Sequence, residues 1–442
     1  MTASSIRRLR GWQALDSRGN ATVACEVLLT DGSVGVATAP SGASTGRHEA
    51  LELRDPPTVH GDRPVGLAVA NVNGEIAAAL QGQDVTDQQA IDDELLALDG
   101  TDGFHRLGAN ATLAVSVACA LASAEHQRLP LYRALLGESA HVVLPMPMVN
   151  ILSGGAHADR MLDFQDFLVV PVGASSFTEA IDWCSRVRRA AVALAGEAGL
   201  GASLVADEGG LGLALGSNRA ALEFLSRAID RSGLAPGHEA GIAVDVAASQ
   251  FFHDGSYPLA TEDRVLAAAG LTAELVSWCD EHPVVSLEDP LAEDDWEGWQ
   301  HLTALLGDRV QVIGDDLFVT HADRLRRGIT EKAGNAVLIK PNQRGTLSQS
   351  RQVLEQAKQA GFATIVSARS GETEESWLSD LAVGWDAGQI KVGSLMRSER
   401  SAKWNRLLRI ESDPAVPTSF AGAGALSRVG RPGSRKPPGP TH

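Results

Sequence analysis

The sequence predicts an α/β protein in which a barrel of alternating strands and helices follows a small α+β domain. Three observations carry that prediction. First, the second half holds seven short apolar runs that each end in a polar or charged residue. They are Ser203-Leu-Val-Ala-Asp207-Glu208, Ile242-Ala-Val-Asp245, Val284-Val-Ser-Leu-Glu288-Asp289, Val310-Gln-Val-Ile-Gly-Asp315-Asp316, Ala336-Val-Leu-Ile-Lys340, Ala363-Thr-Ile-Val-Ser-Ala-Arg369-Ser370 and Gln389-Ile-Lys391. Second, the polar ends fall about 22 to 43 residues apart, room for a buried strand, a turn and a helix. Third, strand-like alternation near the N-terminus gives way to helical periodicity before the first run, as in a separate α+β unit. In a (β/α) barrel the C-terminal ends of the strands share one face, so the acids and bases that close these runs would share one site.

Taken in order, residues from about 5 to 55 alternate in the strand manner, with Ala21–Thr30 and Ser33–Thr38 joined by an Asp31-Gly32 hairpin turn. Helical periodicity follows over Gly66–Leu80, Gln88–Leu98 and Ala109–Glu125. The predicted domains are 1–138, an N-terminal α+β cap, and 139–418, the barrel. Residues 419–442 turn to Gly, Pro, Ser and Arg and cannot bury enough apolar surface to order themselves, so a disordered tail is expected there.

With 442 residues and one barrel of about 250, two domains are the expectation. No apolar run approaches the roughly 18 residues of a membrane span, and Gly11-Trp-Gln-Ala-Leu-Asp16 stands where a signal peptide would carry its apolar core, so a cytoplasmic protein is expected. A formal charge of −17 argues against nucleic acid and anionic membranes as partners. Cys25, Cys119, Cys184 and Cys279 form no CxxC pair, and buried thiols are expected in place of disulfides or a zinc site.

Asp245, Glu288 and Asp315 close three consecutive runs. Three carboxylates converging without His or Cys make an oxygen-only site that suits a hard cation such as Mg²⁺. Lys340 and Lys391 end two later runs, and a lysine beside a divalent cation in a partly dry pocket loses pKa and can act as a base. Pro40-Ser41-Gly-Ala-Ser-Thr45-Gly46 and Arg369-Ser370-Gly-Glu-Thr373 offer backbone N–H groups, hydroxyls and a guanidinium, a set that suits a phosphate. A small, anionic, phosphorylated carboxylic acid is the substrate class these residues imply.

These segments resemble the enolase family. The resemblance lies in Asp16-Ser-Arg-Gly-Asn20, Pro40–Gly46, Leu107-Gly-Ala-Asn110, Asp207-Glu-Gly-Gly210, Ser286-Leu-Glu-Asp-Pro290, Gly314-Asp-Asp-Leu-Phe318, Arg369–Thr373 and Arg397-Ser-Glu-Arg400, spanning about residues 6 to 411. It implies an enolase-type (β/α)8 barrel with an N-terminal α+β capping domain, two Mg²⁺ ions per active site, and a homodimer or ring of dimers. Carried over by position, it makes Asp245, Glu288 and Asp315 the metal ligands, with Ser41 serving the second ion. Lys340 becomes the base that removes the proton α to the carboxylate, and Lys391 the ligand of that carboxylate. Ser41, Arg369 and Ser370 would hold the phosphoryl group, while Glu208, Asp166 and His157 would serve the leaving group.

The chain also departs from the family pattern. Asp166 stands where the family has Glu and Ala368 where it has His; a carboxylate shortened by a methylene can misplace proton transfer by about an ångström. Arg160 and Arg344 replace neutral residues and are expected to bind substrate, and Leu211-Gly-Leu-Ala-Leu215 replaces the usual aromatic-Ala-Pro flap. Three readings follow. One is a specialised enzyme resembling the carboxyphosphonoenolpyruvate synthases of phosphonate antibiotic biosynthesis. Another is a phosphopyruvate hydratase, converting 2-phosphoglycerate to phosphoenolpyruvate, with tolerated substitutions. The third is a catalytically silent binding protein.

Overall fold

The computed structural model describes residues 2–59, 61, 63–137 and 141–426. Near the N-terminus Ile6–Leu15, Ala21–Leu29 and Val34–Thr38 pair as an antiparallel meander in chain order. Its apolar face, including Val23, Cys25, Val27 and Ala37, is buried with the helix Ala109–His126, itself sequestered along most of its length. Gly35 makes that approach possible, since a Cβ there would lie 2.0 Å from the Ala118 carbonyl oxygen. The periodic stretch from Gly66 to Leu80 is helical but interrupted by a π-turn at Val72–Ile76. On that turn Asn73 exchanges two hydrogen bonds of 2.9 Å with the Gly11 backbone, stapling the helix to the first strand.

Eight strands close the barrel. They are Met146–Ser153, Asp166–Val170, Gly241–Asp245, Val284–Glu288, Gln311–Gly314, Ala336–Ile339, Ala363–Ser367 and Gln389–Gly393, each paired with the next, and the last pairs back to the first. Only Asp166–Val170 runs antiparallel to both neighbours. The expected run Ser203–Glu208 is not a barrel strand. Glycines bracket it, it turns back through a hydrogen bond from Ala206 N to Gly210 O of 2.8 Å, and its one bridge is Val205 to Leu211. Glu208 reaches the barrel mouth from a loop.

Inside the barrel Met146, Met148, Leu168, Val170, Ala243, Val285, Ile313, Leu338 and Ile365 form an apolar layer below the strand ends. Leu426, 4% exposed, belongs to the same layer. The first residues of the expected disordered tail are therefore structured: Thr418–Phe420 pairs in parallel with Val142–Leu144, and Gly422–Leu426 forms a 3₁₀ turn that brings Leu426 to the barrel. Burial of Leu426 and Phe420 offsets the ordering cost that composition alone could not. Residues 427–442 lie outside the described residues. Among the described residues no helix is long and apolar enough to cross a membrane.

Replacing Leu426 by Ala should lower stability by roughly 2–5 kcal/mol, the usual range for a large apolar side chain removed from a core. Urea unfolding checks this, and an unchanged midpoint would mean that the turn does not seal the barrel.

Candidate active site

Strand register places the acids. Glu288 pairs with Asp245 and Asp245 with Asp166, so three carboxyl-bearing residues lie abreast on adjacent strands. Asp166 reaches this face because its strand runs the other way, which puts its first residue beside its neighbours' last. Between Asp245 and Glu288 stands Lys391, whose Nζ lies 2.7 Å from Asp245 Oδ2 and 2.7 Å from each Glu288 oxygen. Lys340 pairs with Asp315 Oδ2, and Gln343 donates to Asp315 Oδ1 at 2.9 Å. All five side chains are largely withdrawn from water.

Burial sets the electrostatics. It works against the Lys391 ammonium, but Asp245 and Glu288 outweigh it and raise Lys391 well above its ordinary range. Burial first, and then Asp245, push Glu288 well above the usual carboxylate range even with Lys391 against it. The mouth is thus crowded with acidic groups, and every donor in the predicted triad is a hard oxygen. Asp245, Glu288 and Asp315 fit a divalent cation on those grounds. Among the described residues the ligand atoms that lie within 4.8 Å of one another belong to three other groups, not to that triad: Asp289, Asp315 and Asp316; His157, Asp166 and Glu208; and, on the more exposed side, His48, Glu293 and Asp294. Asp245 and Glu288 meet on Lys391 instead, so a cation at the predicted triad would compete with that ammonium.

Lys340 differs in sign from the expectation. Burial alone lowers it, but Asp315 holds its pKa above the ordinary value. A cation sharing Asp315 would remove much of that stabilisation.

His157 joins two carboxylates. Its Nδ1 lies 2.8 Å from Asp166 Oδ2 and its Nε2 3.8 Å from Glu208 Oε1. Asp166 is fully buried, takes a hydrogen bond from Ser153 Oγ at 2.9 Å and another from Asn150 Nδ2. The shortened carboxylate therefore still reaches the imidazole, positioned from behind by Ser153 and Asn150. Burial pushes the His157 imidazole down, yet Asp166 and Glu208 outweigh it and hold it up at about 9.

His157, Gln165, Glu208, Lys340, Lys391, Ala368, Arg369, Ser370 and Ser44 line one tight cleft with a free volume of about 10 Å³. A wider groove between Gln88 and Trp385 is lined mostly by glutamines and holds only the half-exposed Arg351–Glu355 ion pair, whereas the smaller cleft gathers several buried acids and bases.

Other expected residues lie elsewhere. Ser41 exchanges two backbone hydrogen bonds of 2.8 Å with Gly371, and its hydroxyl is 3.1 Å from Glu52 and 3.2 Å from Arg54. Ser44 of the same loop takes the place at the cleft, and nothing in the motif's composition separates the two serines. Arg344 is buried 2.9 Å from Asp102 of the N-terminal part, and Arg160 is exposed on a turn with φ of 57°; neither lines the cleft. Gln165, which donates to Asp245 at 3.2 Å, was not anticipated and sits one residue before Asp166.

An eight-stranded barrel whose strand ends and capping loops gather carboxylates, lysines and an arginine over one cleft has the layout of a (β/α) barrel enzyme site. Family comparison agrees in detail: residues 141–429 match the enolase C-terminal TIM barrel domain and residues 6–135 the enolase N-terminal domain. The chain belongs to the enolase family, whose domains mark a lyase-type enzyme.

The raised value of His157 has a pH consequence. A folded value near 9 against 6.5 means that the imidazolium's stabilisation is fully present below about pH 6.5 and is lost as pH rises through 9. The stability gap between the parent and a His157→Gln variant should be about 3 kcal/mol larger at the acid end than above pH 9. Denaturant titrations across that range check this; a gap that widens with pH would contradict it.

Proposed function

We propose that this protein is a Mg²⁺-dependent enolase-family enzyme that takes a small phosphorylated or phosphonylated carboxylic acid through an enediolate to an enolpyruvate product. The reading includes specialisation away from glycolytic enolase. The observation that supports it is the cleft itself: Lys340 and Glu208 both face it, beside an anion-binding pair, Arg369 and Ser370.

Lys340 Nζ is the base that takes the proton α to the carboxylate. Arg369 and Ser370, with Ser44 from the capping loop, bind the phosphoryl group, and Lys391 supports the carboxylate. Burial opposes the Glu208 charge, but His157 and the nearby cations hold its pKa below the ordinary value, so the proton for the departing group comes from the His157 imidazolium, which Asp166 orients, and Glu208 relays it. Mg²⁺ held by Asp245, Glu288 and Asp315 would supply charge stabilisation for the doubly negative enediolate.

Specialisation rests on Ala368. Its methyl group lines the cleft where the family resemblance places an imidazole, so this wall carries a smaller side chain and no proton-transfer group. A departing group like that of the carboxyphosphonoenolpyruvate synthases would need less assistance from this wall than hydroxide does. The arginines expected to receive extra negative charge do not supply it, since Arg344 answers Asp102 and Arg160 faces outward. One observation favours the second reading, a phosphopyruvate hydratase: Asp166 still reaches His157 at 2.8 Å, so the proton relay is intact.

Phosphoenolpyruvate formation from 2-phosphoglycerate separates the two readings. The specialised enzyme should be slow, and Asp166→Glu with Ala368→His should raise its rate at least tenfold and non-additively, while Lys340→Ala abolishes it. A parent that already turns over rapidly, with no gain from the double change, would establish the hydratase.

A further inference from the structure

Arg369 is held by a carboxylate that no role above includes. Its Nη1 donates to Glu49 Oε2 at 3.0 Å and to Asn342 Oδ1 at 2.8 Å, and its Nη2 to Ser44 O at 2.8 Å and Glu49 Oε1 at 3.2 Å. Glu49 Oε1 also accepts from Gly46 N at 3.0 Å and Gln343 Nε2 at 3.3 Å. The Arg369 and Glu49 side chains are 3% and 9% exposed. A two-point guanidinium–carboxylate pair fixes the plane of the arginine as well as its charge. The loop backbone completes the fit: a Cβ at Gly42 would lie 1.9 Å from Arg369 Nη2. Among the described residues Arg369 Nε has no protein partner, and Arg369 lines the cleft.

We propose that Glu49 is a positioning residue for anion binding: it orients the Arg369 guanidinium so that the cleft can hold a phosphoryl group. The inference rests on the phosphate-binding reading of the cleft and adds the part that presets it. Glu49 follows the capping loop, Arg369 follows a barrel strand and Gln343 follows another, so one carboxylate ties three segments around the anion site.

The sign of one substitution separates positioning from charge. Glu49 is an anion close to the proposed phosphate site, so electrostatics alone predicts that Glu49→Gln tightens anion binding. Orientation predicts the reverse. Glu49→Asp keeps the charge but loses a methylene of reach, so electrostatics predicts no change and orientation predicts a loss.

The experiment is calorimetric titration of the full chain with 2-phosphoglycerate and, separately, with inorganic phosphate, in the presence of Mg²⁺. Both Glu49→Gln and Glu49→Asp should weaken binding of both probes at least tenfold. In an Arg369→Lys background, which has no guanidinium plane to orient, Glu49→Gln should have little further effect. Circular dichroism melts identify any variant that does not fold, and the remaining one then carries the test. Parent binding with unchanged or tighter binding in the folded variants would overturn the positioning role and leave the phosphate reading standing. A parent that binds neither probe would overturn both.

Discussion

Charges taken out of water must be matched, and the barrel mouth is organised around that constraint. Lys391 stands between Asp245 and Glu288, Lys340 against Asp315, Arg369 against Glu49, and His157 between Asp166 and Glu208. Removing any of the four cations would leave a buried carboxylate without its cationic partner. The pairs also join elements distant in the chain: Glu49 comes from the capping segment, His157 and Glu208 from loops, and the rest from strand ends. A cation or an anionic substrate entering this cleft exchanges one set of partners for another, so binding and rearrangement of the lysines are coupled.

The N-terminal part shares in the site through a short stretch of chain. Its loop from Pro40 to Gly46 is held to the barrel by the reciprocal Ser41–Gly371 backbone bonds and by Arg369 on the Ser44 carbonyl. Arg47 extends the attachment with a 2.7 Å ion pair to Glu293. Ser44 enters the cleft because those contacts fix the loop on either side of it. The meander and its buried helix thus serve the chemistry by presenting one loop.

Much of this was legible from the residues. Asp245, Glu288, Lys340 and Lys391 announce their strand ends because a buried parallel strand is an apolar run and its polar terminus is where the chemistry sits. The first two barrel strands escaped that rule. Met146–Ser153 is apolar with Asn150 inside it, and Asp166–Val170 carries its acid at the start because the strand is reversed. Ser203–Glu208 shows the opposite failure, an apolar run with a terminal acid that is a loop between glycines. Arg344 looked like a substrate ligand because its partner, Asp102, lies 242 residues away in sequence. The turn around Leu426 was invisible because composition reports only average ordering cost and one leucine at the barrel base decides the outcome.

In the proposed reaction the cleft generates an enediolate and the wall at Ala368 governs what then departs. Exchange of the α-proton of 2-phosphoglycerate in D₂O, followed by NMR with Mg²⁺ present alongside phosphoenolpyruvate formation, addresses both halves at once. The account predicts exchange well ahead of elimination, because Lys340 can act while departure of hydroxide is poorly assisted. Elimination that keeps pace with exchange, or the absence of any exchange, would contradict it.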